Sequence, residues 1–410
     1  MLNIYAHATL WLALAVLATI LANRLKISGA LMEILVGVAA GAVAARFVGD
    51  GFFTIDAEWV RLLASIGAVL LTFLAGAELE PGVMKRKLAE VSTIGCVGFL
   101  APFLGCAAAA RWLLGWGSSA SLLAGVALST TSMAVVYAVL LETGLNRTDY
   151  GKGILGSCFL NDLATVLALG VIFSPFTYRT FLFLAGSVAV LALLPTLTRD
   201  LTRRYAFRTA AIRTKWILLV LFGLGALALW AGSEPVLPAY LAGMVLAGAA
   251  EEDPQWVRRV RTLTVGFLTP IYFIRAGLLV SVPALAAAPA VFLVLLLAKV
   301  ATKIVGLFPV VAVFRGERRE RAFYTLLMST GLTFGTISAL FGLTHGIVSR
   351  EQYSFLVSAV IASAVVPTII AQTFFLPAHL LPLDERSGIL RSRAEAEAEV
   401  AVPEEDAREE

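Results

Sequence analysis

The chain has 410 residues, of which 59% are hydrophobic and 15% charged, and its mean hydropathy is +0.87. A soluble domain carries about 25% charged residues, so this composition excludes an ordinary soluble protein and indicates a membrane protein. The net charge of +4 comes from basic residues between apolar segments, and we expect no nucleic-acid partner.

Long apolar runs repeat along the whole chain. The strands of a β-barrel are short and alternate in polarity, so these runs predict membrane-spanning helices and an all-α polytopic fold. We predict thirteen spans, and in chain order they are Ala6–Leu21, Ile27–Ala45, Leu62–Ala77, Val91–Ala110, Ser119–Leu141, Gly153–Phe173, Phe181–Leu197, Trp216–Ala231, Val236–Ala250, Leu263–Val280, Pro289–Val313, Ala322–Leu343 and Tyr353–Phe375. Residues 1–376 would form a membrane transport domain, and residues 384–410 a short charged tail, solvated or disordered.

The distribution of basic residues predicts the orientation. Met1 to His7 contains no Lys or Arg, whereas Arg24 and Lys26 follow the first run, which argues against a cleaved signal peptide and places the N-terminus outside. With thirteen spans the C-terminus is cytoplasmic, in a bacterial inner membrane. Most of the 32 Lys and Arg then lie in cytoplasmic loops, as the positive-inside rule requires. The outward loops hold Arg46, Arg61, Arg111, Arg179 and Arg350.

A long basic segment, Thr198–Lys215, divides the chain into two six-span halves. Leu128-Ser129-Thr130 in span 5 recurs as Met328-Ser329-Thr330 in span 12. Spans seven apart cross the membrane in opposite directions, so we predict an inverted repeat with halves at about 6–175 and 216–376 and a linker helix at about 181–197.

Both recurring motifs interrupt an apolar span with poor helix formers. The residues are Ser129, Thr130, Thr131 and Ser132 in one span, and Ser329, Thr330, Gly331, Thr333 and Gly335 in the other. Irregular backbone at membrane depth survives only where it lines a cavity or is buried in protein, so we predict two discontinuous helices. The alternative is that Ser, Thr and Gly simply permit close helix packing.

Asn161-Asp162 lies in the middle of span 6. An acid at bilayer depth costs about 2.5–3.5 kcal/mol on insertion scales and usually has a function. Such an acid holds a proton or a metal cation but hardly both, which predicts ion exchange at Asp162. The alternative is permanent pairing with Lys or Arg.

Three basic residues interrupt later spans and are candidate partners of this acid. Lys299 and Lys303 lie one turn apart in span 11, and Arg275 interrupts span 10. We favour Lys303 as the residue beside the site, while one of the two lysines could instead extend toward an interface and Arg275 could bind helix-end carbonyls. Glu33 is close to the cytoplasmic end of span 2, which favours an interfacial or gating position.

The remaining reactive side chains predict no further chemistry. Cys96, Cys106 and Cys158 lie within spans and predict small apolar packing residues without a disulfide. His7, His345 and His379 are scattered and predict no metal site. We expect no cofactor.

With these residues in place, the chain resembles the monovalent cation:proton antiporter superfamily, closest to its Kef-like and NapA-like branch. The resemblance covers about residues 6 to 376. The matching motifs are Met32-Glu33-Ile34-Leu35-Val36-Gly37, Leu71-Thr72-Phe73-Leu74-Ala75-Gly76-Ala77-Glu78, Thr130-Thr131-Ser132, Asn161-Asp162 and Lys303-Ile304-Val305-Gly306.

The resemblance implies a core of spans 4–6 and 11–13 that moves against a dimerising scaffold of spans 1–3 and 8–10, linked by span 7. It implies that Asp162 binds the ion and that Asn161 occupies a position that is Asn in electroneutral relatives and Asp in electrogenic ones. Thr130, Thr131 and Ser132 match the unwound segment, and Lys303 matches the core lysine.

The chain departs from its relatives in two ways. Gly331-Leu332 stands where relatives often carry an acid after the glycine. The Kef-like ligand-sensing domain is absent, so we expect no control by glutathione or nucleotide.

We therefore predict an antiporter that exchanges Na⁺ or K⁺ for H⁺ one-for-one, with the core moving as a rigid body across the bilayer. One rival is an organic-anion or solute carrier, since helix N-termini favour anions; in that case loss of Asp162 would weaken transport without abolishing it. A membrane enzyme or sensor is the second rival, disfavoured because no nucleophile–base set lies at the depth of Asp162. A channel is a further alternative, but a channel would not need the predicted inverted repeat.

Overall fold

The computed structural model describes residues 4–25, 28–47, 52–77, 82, 86–173, 177–205, 212–233, 235–252 and 254–380. The predicted tail at 384–410, and Glu78 within the second resemblance motif, lie outside these residues. The described chain is nearly all helical and contains no β-strand.

The helices follow one another with short connections. In chain order they are α1 Ile4–Leu25, α2 Gly29–Phe47, α3 Glu58–Ala77, α4 Leu88–Ala108, α5 Ser118–Ser129, α6 Met133–Glu142, α7 Asp149–Phe173, α8 Tyr178–Tyr205, α9 Ile212–Trp230, α10 Val236–Glu252, α11 Pro254–Leu263, α12 Thr269–Leu278, α13 Val282–Ala287, α14 Pro289–Phe314, α15 Arg318–Met328, α16 Thr333–Thr344 and α17 Arg350–Phe374. Single π-helical turns, Ala109–Leu113 and Thr264–Leu268, extend α4 and join α11 to α12.

The number of spans agrees with the prediction to within two. Eleven helical stretches of the described chain are long and apolar enough to cross a membrane. Val236–Ala249 is apolar but shorter, and α11 with α12 covers the remaining predicted span, Leu263–Val280. The protein is therefore an integral membrane protein with 11 to 13 apolar helices.

The predicted basic loop Thr198–Lys215 is wrong at both ends. α8 continues to Tyr205, well past the predicted end of the linker helix at Leu197, and α9 begins at Ile212. Arg203 and Arg204 lie in the last turn of α8, where positive charge stabilises the free carbonyls of a helix C-terminus. Hydropathy marks where the apolar run stops, but a helix can continue as a polar extension.

Packing separates the helices into two groups. The first group contains α1, α2, α3, α9, α10, α11 and α12, with α8 packed on α9 and α10. The second group contains α4, α5, α6, α7, α14, α15, α16 and α17. We call them the outer group and the inner group, and α10 packs against α7 where they meet.

Glycines allow the closest approaches within the outer group. A methyl group at Gly277 of α12 would lie 2.9 Å from the Val38 nitrogen and 3.0 Å from the Gly37 Cα of α2. Between α3 and α10, a methyl group at Gly243 would lie 2.8 Å from the Ala77 nitrogen. Small residues of this kind let helices in lipid gain dispersion contacts that a larger side chain would prevent.

Two spans are broken in the middle, as predicted. α5 ends at Ser129 and α6 starts at Met133, while α15 ends at Met328 and α16 starts at Thr333. Thr130 is extended, with φ −61° and ψ 153°, and Leu332 has φ −154° and ψ −77°. The inverted relation between the two halves stays a prediction.

Candidate ion-binding site

The two helix breaks contact each other through side chains and backbone. Thr131 Oγ1 donates a hydrogen bond of 2.8 Å to the Met328 carbonyl, and the Ser132 amide donates one of 3.3 Å to Thr330 Oγ1. The irregular segments of the two chain halves therefore form one buried unit.

Hydroxyl groups satisfy the carbonyls left free where the helices stop. Each hydroxyl donates to a carbonyl three or four residues earlier: Ser129 to Val126, Thr130 to Ala127, Ser329 to Thr325, and Thr330 to Leu327. All four hydroxyl residues are fully buried. Without water to pair with helix-end carbonyls at this depth, Ser and Thr are the residues that let a span stop inside protein.

Asn161 and Asp162 lie against these breaks. Their helix, α7, packs against all four half-helices, α5, α6, α15 and α16. Asn161 is 0% exposed and Asp162 1% exposed. Asn161 Oδ1 and Nδ2 and Asp162 Oδ1 have no hydrogen-bond partner among the residues that the structure describes.

Unpartnered buried oxygens are costly unless something pairs with them. A carboxylate and an amide oxygen, here from consecutive residues of one helix, are ligands that an alkali cation accepts. The carboxylate can alternatively take up a proton. This corner of α7 can therefore hold either species, and the residues present fit the predicted cargo.

The two lysines approach the site from α14 and are both fully buried. Lys303 Nζ donates a 2.9 Å hydrogen bond to Thr131 Oγ1, and Lys299 Nζ donates one of 3.2 Å to the Thr130 carbonyl. Both therefore cap the break after α5, where the C-terminal end of the helix dipole favours positive charge.

Neither lysine forms an ion pair with Asp162 within the described chain, although Lys303 is close enough to interact with it electrostatically. The alternative of a permanently paired acid is therefore not what the structure has. The positive charge of Lys303 acts on the Asp162 carboxylate without forming an ion pair with it. The carboxylate is therefore available to an ion.

The position of Lys299 explains why residue 331 is a glycine. A methyl group at Gly331 would collide with Lys299 Nζ and would lie 3.1 Å from Thr130 Oγ1 and 3.3 Å from Ser363 Oγ. Leu332, where relatives often carry an acid, is fully buried. The half-helix ends receive a lysine in this chain, and a glycine leaves room for it.

Other predicted residues lie elsewhere. Arg275 Nε donates to the Ile55 carbonyl at 3.1 Å, and its Nη2 lies 3.7 Å from Asp56 Oδ1. It therefore belongs to the outer group and is not brought to Asp162. Thr333 begins α16 and is half-buried. Glu33 is 6% exposed, so its predicted interfacial position is more deeply buried than expected.

Two polar residues near the site escaped the sequence prediction. Tyr240 of α10 donates a 2.9 Å hydrogen bond to the Phe159 carbonyl of α7, and its ring stacks on Phe159 at 5.3 Å between centroids. Ser363 of α17 is fully buried and lies beside Gly331. The available signal was a tyrosine and a serine inside otherwise apolar spans, which is weak because either is also common in packing.

The cysteines and His379 are the remaining residues whose predicted surroundings can be compared with the structure. Cys96, Cys106 and Cys158 are free thiols, the first exposed and the other two buried. His379 differs from the prediction that the histidines are scattered and form no metal site, because it lies close to two acidic side chains. Its ring and the carboxylates of Glu317 and Glu320 hold ligand atoms within 4.8 Å of one another, at the partly exposed start of α15. The shortest contact there joins His379 Nε2 to Glu320 Oε1 at 2.7 Å.

Comparisons with known proteins agree with this architecture. The family described as "Sodium/hydrogen exchanger, transmembrane" matches residues 12–376. Probable Na⁺/H⁺ antiporter 3 of Methanocaldococcus jannaschii is 24% identical over 333 residues, covering 78% of this chain and 84% of the relative. The Na⁺/H⁺ antiporter of Enterococcus hirae is 25% identical, covering 86% and 93%.

The chain is also similar to a potassium-efflux protein in sequence and to a solved antiporter structure in fold. The glutathione-regulated potassium-efflux protein KefC of Shigella flexneri is 26% identical, covering 81% of this chain but 54% of the relative. The sodium proton antiporter MjNhaP1 of Methanocaldococcus jannaschii, solved at pH 8, superposes with a TM-score of 0.67 at 14% identity, covering 91% of this chain and 98% of that one. At that identity the match shows a shared fold.

Proposed function

Because this chain belongs to the sodium/hydrogen exchanger family and is a cation:proton antiporter, we propose that Asp162 is the group at which Na⁺ or K⁺ and H⁺ compete. The observation that carries the proposal is the burial of Asp162 beside Asn161 with unpartnered oxygens and no ion pair to Lys299, Lys303 or Arg275. The break residues Thr130, Thr131 and Ser132, with Ser329 and Thr330 opposite, would complete the binding cavity.

The exchange follows from one carboxylate that serves two cargoes. An arriving cation binds the ionised Asp162 and the Asn161 amide oxygen, which requires that the proton has left. On the other side of the membrane a proton displaces the cation. One titratable acid then exchanges one proton for one cation, so net charge does not move and the rate is insensitive to voltage.

Movement of the inner group past the outer group would alternate access to the site. An elevator of this kind needs a boundary along which the two groups can move past each other, and α10 packs on α7 at that boundary. We propose that the outer group also forms a homodimer interface, that the N-terminus lies outside and the C-terminus in the cytoplasm, and that the inner bacterial membrane is the location. Cation and pH homeostasis is the corresponding role.

The decisive experiment is exchange in proteoliposomes with the isosteric variant Asp162→Asn. We expect no exchange driven by a pH gradient for any member of a Na⁺ and K⁺ panel, because the neutral amide can neither release a proton nor attract the cation. Asp200→Asn makes the same change at an exposed carboxylate of α8 and should leave exchange intact.

Residual exchange of more than about a tenth in well-folded Asp162→Asn protein would contradict this role. That outcome would favour the rival carrier of organic anions, in which Asp162 is only a neighbour of the substrate.

A further inference from the structure

A cleft of about 200 Å³ lies between the two helix groups, and Asp162 does not line it. Its outer-group wall includes Arg61, Ser65 and Arg275, from α3 and α12. Its inner-group wall consists of residues from α16, among them Leu340 and Phe341. The cleft therefore touches both of the parts that would move during transport.

The charge of this cleft is unexpected for a cation transporter. None of the residues that line it is acidic, whereas two are arginines. Positive charge in a cleft repels an approaching alkali cation. The cleft is therefore chemically unsuited to the cargo of the Asp162 site.

Among the described residues, no buried acid pairs with either arginine. The side chain of Arg61 makes no hydrogen bond or ion pair with any described residue, and it lies close enough to Arg275 for the two charges to repel each other. Arg275 is only 6% exposed, and the acid paired with it in the described part of the chain, Asp56, is 3.7 Å away with a side chain that is 87% exposed. Water screens such a partner strongly, so the exposed carboxylate compensates little of the positive charge of the buried guanidinium.

Two adjacent guanidinium groups on an otherwise apolar cleft are suited to one class of ligand. Guanidinium binds carboxylate and phosphate oxygens in pairs of parallel hydrogen bonds, and an anion there would also relieve the repulsion between the arginines. The apolar wall, with Leu229, Val236, Ile337 and Phe341, would bind a short hydrocarbon body.

We propose that this cleft is a binding site for an amphiphilic anion, whose carboxylate or phosphate head contacts Arg61 and Arg275 and whose apolar part packs on α16. An occupant contacts both helix groups at once. Its presence therefore opposes their relative movement and inhibits exchange.

The primary test is calorimetric titration of the purified full chain, in an uncharged detergent, with octanoate as the probe. We expect saturable binding that weakens about tenfold in Arg61→Gln, which is the loss of one charge-assisted contact. Arg61 is exposed, and its side chain forms no hydrogen bond or ion pair with a described residue, so the variant should fold. Arg46→Gln removes the same charge from the exposed end of α2, outside the cleft, and should bind octanoate as the unmodified chain does.

Three outcomes would overturn the site: no saturable binding, equal binding of the uncharged octanol, or equal weakening in Arg61→Gln and Arg46→Gln. The titration needs no transport activity, so its result is independent of the role of Asp162.

A second arm identifies the source of the anion. Exchange is measured in phosphatidylcholine vesicles with and without about one fifth phosphatidylglycerol, at increasing octanoate. If a lipid headgroup occupies the site, phosphatidylglycerol raises the octanoate concentration needed for half-inhibition, whereas a water-borne anion predicts no change. Inhibition that is the same in Arg61→Gln as in the unmodified chain contradicts the proposal in either case.

Discussion

At the scale of single residues, the same side chain type takes different parts according to its neighbours. Lys299 and Lys303 are one turn apart and equally buried, yet Lys299 binds a backbone carbonyl and Lys303 a hydroxyl close to Asp162. Coulomb interaction in a dry interior is strong and falls with distance, so Lys303 has the larger effect on the acid. Lys299 acts on the backbone of the break.

This difference gives a prediction for the variants Lys303→Met and Lys299→Met. Removing the charge near Asp162 lets the carboxyl group hold its proton more tightly, so the pH of half-maximal exchange should rise by about one unit in Lys303→Met. Lys299→Met should lower the maximal rate or the stability with little change in that pH. The measurement is exchange rate against pH at fixed cation concentration, and equal shifts in both variants would refute the assignment.

Asn161 gives a second prediction at the same scale. Asn161→Asp places a second carboxylate beside Asp162, so the site can release two protons for one cation. We expect an exchange rate that depends on an imposed voltage, recorded with potassium and valinomycin, whereas the unmodified chain should respond little. If the variant exchanges normally and ignores voltage, Asn161 has another role.

At the scale of helices, the breaks explain why Ser, Thr and Gly occur in the middle of two spans. Hydroxyls pair with the helix-end carbonyls, and threonines from each break contact the other. A uniform apolar helix could not expose backbone atoms to an ion at this depth. Hydroxyls and Lys299 pair with several of the carbonyls released at the breaks, which lowers the cost of the interruptions.

Gly331→Ala tests how closely Lys299 packs on the second break. The added methyl group would displace the ammonium group from the Thr130 carbonyl. We expect a loss of stability of about 1–3 kcal/mol, typical of overpacking, and a reduced exchange rate. Gly223→Ala on α9, where nothing lies within 4 Å, is the matched control and should be neutral or slightly stabilising. Thermal unfolding of both variants in detergent decides; equal melting temperatures would show that α14 yields easily.

At the scale of the whole molecule, two groups of helices meet along one boundary. Tyr240 crosses this boundary with a hydrogen bond to Phe159 and an edge-on contact to Phe334, at 5.8 Å between centroids. Phe159 is one turn before Asp162 on α7. The contact therefore holds α7, the helix that carries Asp162, in its present position against the outer group.

Tyr240→Phe keeps the ring and removes the hydrogen bond. A buried hydrogen bond contributes about 0.5–1.5 kcal/mol, so the balance between conformations should shift by up to about tenfold. We expect altered apparent cation affinity together with faster hydrogen exchange in α7. Tyr137→Phe, at an exposed tyrosine of α6, is the control. Unchanged affinity and unchanged protection in Tyr240→Phe would show that the bond does not restrain the movement.

Much of this protein is determined by the sequence alone. The spans, the two breaks and the buried Asn161-Asp162 pair are all visible there, because hydropathy, helix-breaking residues and the cost of an intramembrane acid are local properties. The end of α8 was mispredicted because hydropathy marks only the apolar run, whereas the helix continues beyond it.

The tertiary structure alone decided which side chains meet. It showed that Lys303 and Lys299 have different partners and that Arg275 lies away from the candidate site. It also showed that Tyr240 lies on the boundary and that the breaks of spans 5 and 12 are in contact. Such pairings depend on how each helix is rotated and how deeply it packs, and these are set by the fit of many side chains along the whole molecule. No short stretch of chain carries that information.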